Sequence, residues 1–224
     1  MKNIALIPAR GGSKGILRKN IKLFNKKPLI YWSIKQALES SFIDRVIVST
    51  DDLEIADIAR SFSAEVPFMR PSSLAQDESK GIEPVLHAIE NLLNIDNILL
   101  LQPTSPLRRS FDIDEIFKLR SKFNVDSAVS VTLAKKNVDL LFGIDSNRRL
   151  NKYYKNSDFL PRQEYPNLFL LNGSLYLSSV NSIIKNKSFF SANTIGYIMP
   201  EEISIDIDSP FDWKIAEFLM TKEL

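Results

Sequence analysis

Short apolar runs alternate with stretches of helical periodicity along most of the chain. A short apolar run predicts a buried strand, whereas apolar positions three or four residues apart predict a helix with one buried face. The predicted strands span residues 4–8, 45–50, 65–68, 98–101, 127–132, 173–178 and 194–199. The predicted helices span residues 28–40, 82–93 and 111–123, and two more follow Asp51 and Ser209. This order predicts an α/β fold, a doubly wound, mostly parallel sheet with helices on both faces.

Two of these helices have capping residues at their starts. Asp51 is followed three residues later by Glu54, which is the pattern of a capping box. Ser209 is a good N-cap, and Pro210 and Asp212 suit the first helical turn. We therefore expect Asp51 and Ser209 to cap the helices that follow them.

The loops at the carboxyl ends of the predicted strands are polar or charged. They span residues 9–20, 50–52, 69–81 and 102–108. Ligands of open α/β sheets bind outside the carboxyl ends of the strands. The pattern therefore places the functional site at this edge of the sheet.

The periodic pattern fails between residues 135 and 171, where Asn, Lys, Arg, Tyr and Pro are frequent. Two interpretations fit this stretch: a flexible excursion, or a subdomain that packs on another chain. The rest of the pattern is continuous, so we expect one domain over residues 1–224 with an insertion at 135–171.

Composition narrows the class of protein. The 224 residues hold 29 Lys and Arg against 27 Asp and Glu, and a net charge of +2 gives no general attraction to nucleic acid. The absence of cysteine excludes disulfides, thiolate catalysis and Cys-based zinc sites. No apolar run approaches the roughly 18 residues of a membrane span. The apolar stretch after Met1 is too short for a signal peptide. We expect a cytoplasmic protein that binds neither nucleic acid nor membrane.

A glycine-rich basic loop follows the first predicted strand. Glycine amides turned towards one point, with basic side chains around them, suit a polyphosphate. The residues of this loop that we expect at the site are Arg10, Gly11, Gly12, Ser13, Lys14, Lys19 and Asn20. A tight turn with solvated lysines is the alternative, which the number of cations disfavours. The loop matches neither a Walker A motif nor a dinucleotide fingerprint, which argues against P-loop kinases and nicotinamide dehydrogenases.

Two aspartates near the C-terminus predict a metal site. Asp206 and Asp208 are two residues apart in an extended segment, so both side chains point to the same side. Such a pair holds Mg²⁺ while a substrate phosphate supplies further oxygens. Two solvated aspartates before a helix are the alternative, and the basic loop favours the metal.

Three weaker features remain. Residues 102–108 form a loop stiffened by two prolines, which suits either substrate positioning or a plain connection. Arg70 with Asp77 nearby offers a donor fork and a carboxylate for a base edge or a ribose. His87, the only histidine, is expected to be structural, so no histidine-dependent catalysis is predicted.

Five blocks together resemble the acylneuraminate cytidylyltransferases, the CMP-sialic acid synthetase family. They span residues 7–20, 101–108, 161–163, 172–176 and 205–208, in the order that the family has. The resemblance covers nearly the whole chain. It implies a doubly wound nucleotide-binding domain and a homodimer in which a smaller segment is exchanged with the partner, which would account for residues 135–171.

The resemblance also implies a reaction and its residues. CTP and a nine-carbon 2-keto sugar acid of the sialic acid type would give the CMP-sugar and pyrophosphate, with Mg²⁺ on Asp206 and Asp208. Arg10, Lys19 and Asp208 would be catalytic, and such a product would serve lipopolysaccharide or capsule biosynthesis. The nucleotide would contact Arg10, Gly11, Gly12, Ser13, Lys14, Lys19, Asn20, Arg70 and Asp77. The sugar would contact Gln102, Arg162, Gln163, Asn172, Tyr176, Phe189 and Phe190, of which the two phenylalanines reach a neighbouring subunit's pocket.

One departure and several alternatives follow. Residues 78–81 are Glu-Ser-Lys-Gly where the family often has small Thr or Ser residues near the base. Legionaminic or pseudaminic acid remains open as the sugar, because pocket specificity depends on a few side chains. A CMP-Kdo synthetase would carry an arginine where Lys14 and Gly15 stand. A catalytically silent nucleotide-binding regulator would not need the aspartate pair.

Overall fold

The central sheet is the frame of the molecule. The computed structural model describes residues 1–12, 15–76, 81–135, 140–152 and 167–222. The six strands of this sheet are β1 (Asn3–Pro8), β4 (Arg45–Ser49), β5 (Asn97–Leu101), β6 (Ser127–Leu133), β9 (Phe169–Ser179) and β10 (Ile195–Ile198). Their order is β10-β6-β9-β5-β1-β4. Neighbouring strands are parallel except that β9 runs antiparallel to both β5 and β6. This confirms the mostly parallel sheet.

Helices cover both faces of the sheet. They are α1 (Leu29–Leu38), α2 (Leu53–Ser61), α3 (Glu83–Asn91), α4 (Ser110–Phe123), α5 (Val180–Asn186) and α6 (Pro210–Lys222). Alternate residues of β1 enter different cores, since Ala5 and Ile7 pack with α1, α2, α4 and α6, whereas Ile4 and Leu6 pack with α3 and α5. The doubly wound α/β prediction is therefore confirmed. Within the described ranges, no helix is both long and apolar enough to cross a bilayer.

The predicted strand at 65–68 is wrong. The chain bonds to β4 only around Glu65, whose amide donates to Val46 and whose carbonyl accepts from Val48. Pro67 follows at once and has no N–H to continue a ladder. The segment therefore leaves the sheet and runs on towards Arg70.

One predicted cap is also wrong, and the other is confirmed. Asp52, rather than Asp51, caps α2, because its extended backbone lets its carboxylate accept from the Ile55 amide at 3.0 Å. The Asp51 carboxylate instead accepts a hydrogen bond from the Gly11 amide, with Oδ1 3.1 Å from the nitrogen. Ser209 caps α6, where it and Asp212 bond each other's amides.

Two small hairpins accompany the main sheet. β2 (Leu23–Phe24) pairs with β3 (Lys27–Pro28) before α1, and β7 (Phe142–Ile144) pairs with β8 (Leu150–Lys152). The second hairpin lies in the stretch where the periodic pattern fails. The end of that stretch is regular, because β9 begins at Phe169 rather than at the predicted residue 173.

Candidate active site

A cleft of about 490 Å³ opens at the carboxyl ends of β1 and β5. Three of the four predicted loops and the aspartate segment contribute to it, although they lie far apart in the sequence. The lining residues are Pro8, Arg10, Gly15, Lys19, Asn20, Arg70, Gln102, Pro103, Thr104, Asp206 and Asp208. The structure thus brings together basic side chains, two amides and two carboxylates that were each singled out in the sequence.

The loop after β1 is held from beneath by acidic residues. Asp51 accepts from the Gly11 amide, and a Cβ on Gly11 would lie 2.6 Å from Asp52 Oδ2. Arg18 has left-handed backbone angles and pairs with both Asp52 and Glu54. Its hydrogen bond to Asp52 holds the pKa of that carboxyl below its usual value. Gly11 therefore helps to support the loop, because its amide already donates to Asp51.

The other loop residues have separate positions. Arg10 lines the cleft and places Nη1 3.4 Å from the Ala75 carbonyl oxygen. Asn20 is buried and donates to the Arg10 carbonyl at 2.9 Å, which fixes the start of the loop. Gly12 does not line the cleft. Ser13 and Lys14 lie outside the described residues.

Lys19 joins the basic loop to the aspartate segment. Its Nζ donates to the Ile207 carbonyl at 2.7 Å and lies 3.4 Å from Asp208 Oδ1. A Cβ on Gly15 would lie 2.3 Å from the Asp208 carbonyl oxygen, so only glycine permits this close approach. The phosphate-type loop and the predicted metal ligands therefore form one continuous surface.

The two aspartates differ in their surroundings. Asp206 Oδ1 is buried and has no hydrogen-bond partner among the described residues, whereas the Asp208 side chain is 79% exposed. Burial raises the pKa of Asp206, and a hydrogen bond from Thr104 opposes that rise. The Ile207 amide donates to the Thr104 carbonyl at 2.8 Å, which fixes the segment between them. An unpartnered buried carboxylate oxygen is a suitable ligand for a hard cation.

These residues fit a magnesium ion that takes most of its ligands from elsewhere. In the parts of the chain that the structure describes, no group of three or more His, Cys, Asp or Glu side chains is placed to hold a metal. Mg²⁺ characteristically binds one or two carboxylates and completes its shell with waters and substrate phosphates. A pair of carboxylates beside a basic loop is therefore the donor set that such an ion needs.

Arg70 presents a buried guanidinium to the same cleft. Burial lowers its pKa, and its Nη2 forms an ion pair with Asp51 Oδ1 at 3.6 Å, which opposes that effect. Nε and Nη2 have no hydrogen-bond partner among the described residues. Buried donors without acceptors are costly, and an acceptor in the cleft would relieve that cost. Asp77 lies outside the described residues.

A second, smaller pocket of about 250 Å³ adjoins the cleft. Gln102 lines both cavities and marks the place where they meet. The second pocket is mostly apolar, and the Tyr176 and Phe189 rings are 5.8 Å apart. Its lining residues are Gly81, Ile82, Leu100, Gln102, Tyr176, Lys187, Ser188, Phe189 and Phe190.

The residues expected at the sugar are only partly brought together. Gln102, Tyr176, Phe189 and Phe190 line this pocket of their own chain. Arg162 and Gln163 lie outside the described residues. Lys187 also lines the pocket, from the left-handed C-cap of α5, and was missed because a lone lysine after a helix has no distinctive pattern.

Asn172 and Gly173 support the site from inside β9. Asn172 is buried; its amide donates to Ser204 Oγ at 2.9 Å and its oxygen accepts from Ser130 Oγ at 2.6 Å. Gly173 has φ +72°, and a Cβ there would lie 2.8 Å from Gln102 Oε1 and 3.2 Å from Asp206 Oδ2. The glycine therefore lets Gln102 and Asp206 approach the same point of the strand.

Comparisons with known proteins agree with this geometry. The family model described as cytidylyltransferase matches residues 4–217. The CMP-N,N'-diacetyllegionaminic acid synthase of Legionella pneumophila subsp. pneumophila (strain Philadelphia 1) is 39% identical, over 98% of this chain and 97% of that protein. The N-acylneuraminate cytidylyltransferase of Escherichia coli O18:K1:H7 (strain RS218) is 34% identical, over 99% of this chain but 53% of that longer protein.

The fold has a close counterpart among solved structures. A structure of CMP:2-keto-3-deoxy-manno-octonic acid synthetase complexed with CTP superposes with a TM-score of 0.74 over the full length of both chains. The two sequences are 16% identical, so this likeness concerns the fold.

Proposed function

The chain belongs to the cytidylyltransferase family and is a nucleotidyltransferase. From this premise we propose that it transfers the cytidylyl group of CTP to a nine-carbon 2-keto sugar acid of the sialic acid type. The products are the CMP-sugar and pyrophosphate. The observation that carries the proposal is the junction at Gln102, where a charged cleft with two carboxylates meets an apolar pocket.

The charged cleft is assigned to CTP. Arg10 and Lys19 line it from the loop after β1, and the resemblance adds Ser13 and Lys14 of the same loop. Such cations offset the charge of a triphosphate and the further charge that develops on departing pyrophosphate. Arg70, whose buried Nε and Nη2 make no hydrogen bond to the described residues, is assigned to acceptor atoms on the cytosine, and Asn20 and Asp77 to the nucleoside beside it.

Asp206 and Asp208 are assigned to Mg²⁺. Bound there, the ion would supply Lewis-acid stabilisation of phosphate charge. Lys19 lies against Asp208 and the Ile207 carbonyl, so it keeps the carboxylate segment beside the phosphate-type loop. Asp206 contributes a carboxylate oxygen without other partners, which is why its loss should matter more than that of an ordinary surface aspartate.

The apolar pocket is assigned to the sugar acid. Tyr176, Phe189 and Phe190 offer aromatic faces to acylamino and deoxy groups, and Gln102 offers an amide to a polar group near the reacting centre. This assigns the two phenylalanines to the pocket of their own chain rather than to that of a neighbouring subunit, which the resemblance implied. Arg162, whose fork matches carboxylate geometry, is assigned to the sugar carboxylate, with Gln163 beside it. Asn172, whose amide and oxygen are bonded to Ser204 and Ser130, is assigned to the support of this site from β9. A legionaminic-type acid with two acetamido groups suits this aromatic side of the pocket, as does N-acetylneuraminic acid.

The transfer then follows from the placement of the two substrates. The anomeric hydroxyl loses its proton to solvent as its oxygen forms a bond to the α-phosphorus. The bond from that phosphorus to the pyrophosphate oxygen breaks in line, and its electron pair leaves with pyrophosphate. Catalysis of this kind consists mainly of positioning and charge stabilisation. Gln102 stands between both substrates, and Arg10 and Lys19 stand on the side of the leaving group. We also propose a cytoplasmic protein, consistent with a supply of CTP, whose product would be a donor for lipopolysaccharide or capsule assembly.

We also propose a homodimer built on the insertion. Exposed apolar side chains are concentrated on the β7–β8 hairpin and at the start of β9. They include Phe142, Ile144, Leu150, Phe169, Leu170 and Leu171. Exposed apolar side chains in such numbers over a short stretch of chain favour an interface. Ile144→Lys combined with Leu150→Lys should yield monomers by light scattering, whereas Leu93→Lys, at an exposed leucine elsewhere, should not.

A pyrophosphate-release assay tests the activity. CTP and Mg²⁺ are supplied with N-acetylneuraminic, N,N'-diacetyllegionaminic, pseudaminic or Kdo acid in separate reactions. We expect release with at least one of the nine-carbon acids and little with Kdo. Preferential use of Kdo would overturn the sugar assignment, and CTP binding without release in any reaction would favour a silent regulator.

A further inference from the structure

Arg108 is the bulkiest fully buried side chain among the described residues. The hydrogen-bond partners that we find for its guanidinium are neutral. Nη1 donates to Ser33 Oγ at 2.7 Å, Nε donates to Ser174 Oγ at 3.2 Å, and Nη2 donates to the Gln102 carbonyl oxygen. A buried cation is costly even when it is hydrogen-bonded, so its presence here calls for a reason.

These partners lie on three different elements around the junction of the two cavities. Ser33 is in α1, Ser174 follows Gly173 in β9, and Gln102 follows the end of β5. Gln102 Oε1 in turn lies against Gly173, and Gln102 lines both cavities. The guanidinium therefore ties the backbone of Gln102 to the helix and to the strand that flank it.

Only an arginine supplies this set of donors. Its planar fork directs N–H groups along fixed, separate directions, whereas a lysine offers them from one point at the end of a flexible chain. An apolar side chain of similar volume would fill the same space without the cost of burying a charge. The Arg108 charge also acts on the Asp206 and Asp112 carboxylates, which a lysine would still do, so the directed hydrogen bonds are the part that only an arginine supplies.

We propose that Arg108 is a positioning residue for the transfer reaction. By holding the Gln102 carbonyl, it fixes where the Gln102 side chain stands between the nucleotide and the sugar. The inference rests on the proposed function and adds to it a residue that touches neither substrate. Misplacement of a reacting group by about 1 Å costs on the order of 10²-fold in rate, so a shift of this loop should be visible in kinetics.

Arg108→Lys is the first test, with Arg120→Lys as its matched control. Arg120 is a half-buried arginine of α4 that donates to the Val125 carbonyl and to Asn97, away from both cavities. We expect Arg108→Lys to lower kcat/KM for the sugar acid by roughly 10- to 100-fold. The Kd of CTP without sugar should change less than about threefold, because the phosphate-binding cations come from another loop. Arg120→Lys should lower thermal stability without changing kcat/KM for the sugar acid or the Kd of CTP.

A double-mutant cycle with Gln102→Ala decides whether Arg108 acts through Gln102. If it does, Arg108→Lys should cause little further loss of kcat/KM in the Gln102→Ala background. The inference is overturned if the two substitutions lower kcat/KM independently, so that their losses multiply in the double variant. It is also overturned if Arg108→Lys weakens CTP binding and sugar binding equally. Should Arg108→Lys not fold, Ser174→Ala removes one partner of the guanidinium and should give a smaller loss of the same kind. Ser174 is chosen over Ser33 because Ser33 Oγ also donates to the Gln102 carbonyl itself. Unchanged sugar kinetics in that variant would also overturn the inference.

The proposed function and this inference fail in different ways. Absence of turnover by the wild-type chain with every nine-carbon acid contradicts the proposed function. Normal sugar kinetics of Arg108→Lys, measured beside an active wild type, contradicts only the role of Arg108.

Discussion

The cleft around Lys19 and the pocket around Phe189 share Gln102 but differ in chemistry. The cleft is lined mostly by charged and polar groups, with carboxylates and cations in direct contact, as between Lys19 and Asp208. The pocket is walled by Tyr176, Phe189 and other apolar side chains. The first region is suited to neutralising charge, whereas the second is suited to shape and apolar contact. Substitutions in the two regions should therefore change different kinetic constants.

The supports of the two regions also differ. Beneath the cleft, ion pairs and capping carboxylates hold the loop, with Arg18 on Asp52 and Asp51 on Gly11. Beneath the pocket, packing dominates, since Phe189 is buried with Ile183 and β5 residues in the smaller core. Affinity for the nucleotide should thus depend on charge, and affinity for the sugar on packing.

The largest effect is expected at the buried carboxylate of the charged region. Asp206→Asn keeps the shape of the side chain but removes the negative charge. Turnover should fall by at least about 10³-fold, because a charged ligand of a Lewis-acid metal is worth several kcal/mol in the transition state. Pyrophosphate release measured across a Mg²⁺ titration checks this, with circular dichroism as the control for folding. Normal turnover at ordinary Mg²⁺ concentration would remove Asp206 from the metal site.

Lys19→Ala should have the next largest effect. Loss of a cation from the side of the leaving group should lower kcat/KM for CTP by at least ~10²-fold. Lys22→Ala is the control, since Lys22 belongs to the same chain segment but lies 5.0 Å over the Trp213 ring and does not line the cleft. Steady-state kinetics with varied CTP measures both. If kcat/KM for CTP falls equally in the two variants, the total positive charge of this segment matters, rather than the position of Lys19.

Phe190→Ala tests the apolar region and should have a smaller, more selective effect. Removing a partly exposed ring should raise KM for the sugar acid roughly tenfold, which corresponds to about 1.4 kcal/mol of apolar contact. KM for CTP should stay unchanged. Phe123→Ala, at an exposed phenylalanine at the end of α4, is the control. A parallel rise in both KM values would show that the two cavities are not functionally separate.

This contrast also explains which parts could be predicted from sequence. The sheet and its helices follow from local periodicity, and Lys19, Asp206 and Asp208 belong to short segments with recognisable chemistry. The strand at 65–68 failed because Pro67 interrupts the ladder, and the cap moved to Asp52 because Asp51 is used by the distant Gly11. Such choices between neighbours depend on tertiary contacts that no local pattern encodes.

The apolar pocket lies beyond local prediction for the same reason. Ile82, Leu100 and Lys187 meet there only because β9 lies antiparallel beside β5 and leads into α5. Each of them is unremarkable in its own stretch of sequence. Tyr176, Phe189 and Phe190 were expected only through the family resemblance. Arg108 was within a motif, yet its burial and its bond to Gln102 required the fold.

The smallest effect on catalysis is expected from the support beneath the charged loop. Asp52→Ala removes the cap of α2 and the partner of Arg18, so the free energy of unfolding should fall by about 1–2 kcal/mol at neutral pH. KM for the sugar acid should stay unchanged, since none of the described loop residues lines the apolar pocket. Urea unfolding measures the loss, and Asp57→Ala, which removes an exposed ion pair with Arg60 on the same helix, should cost less than about 0.5 kcal/mol.

The pH dependence of this loss tests its electrostatic origin. Arg18 lowers the pKa of Asp52 in the folded protein, so the contribution of Asp52 is present above the unfolded-state pKa of about 3.9. It is lost as the pH falls through the lower folded-state value. The difference in stability between wild type and Asp52→Ala should hold from neutral pH down to about pH 5 and shrink below about pH 4. If the difference in stability persists unchanged in acid, packing rather than charge supports the loop. The supports of the charged cleft and of the apolar pocket would then not differ in the way described above.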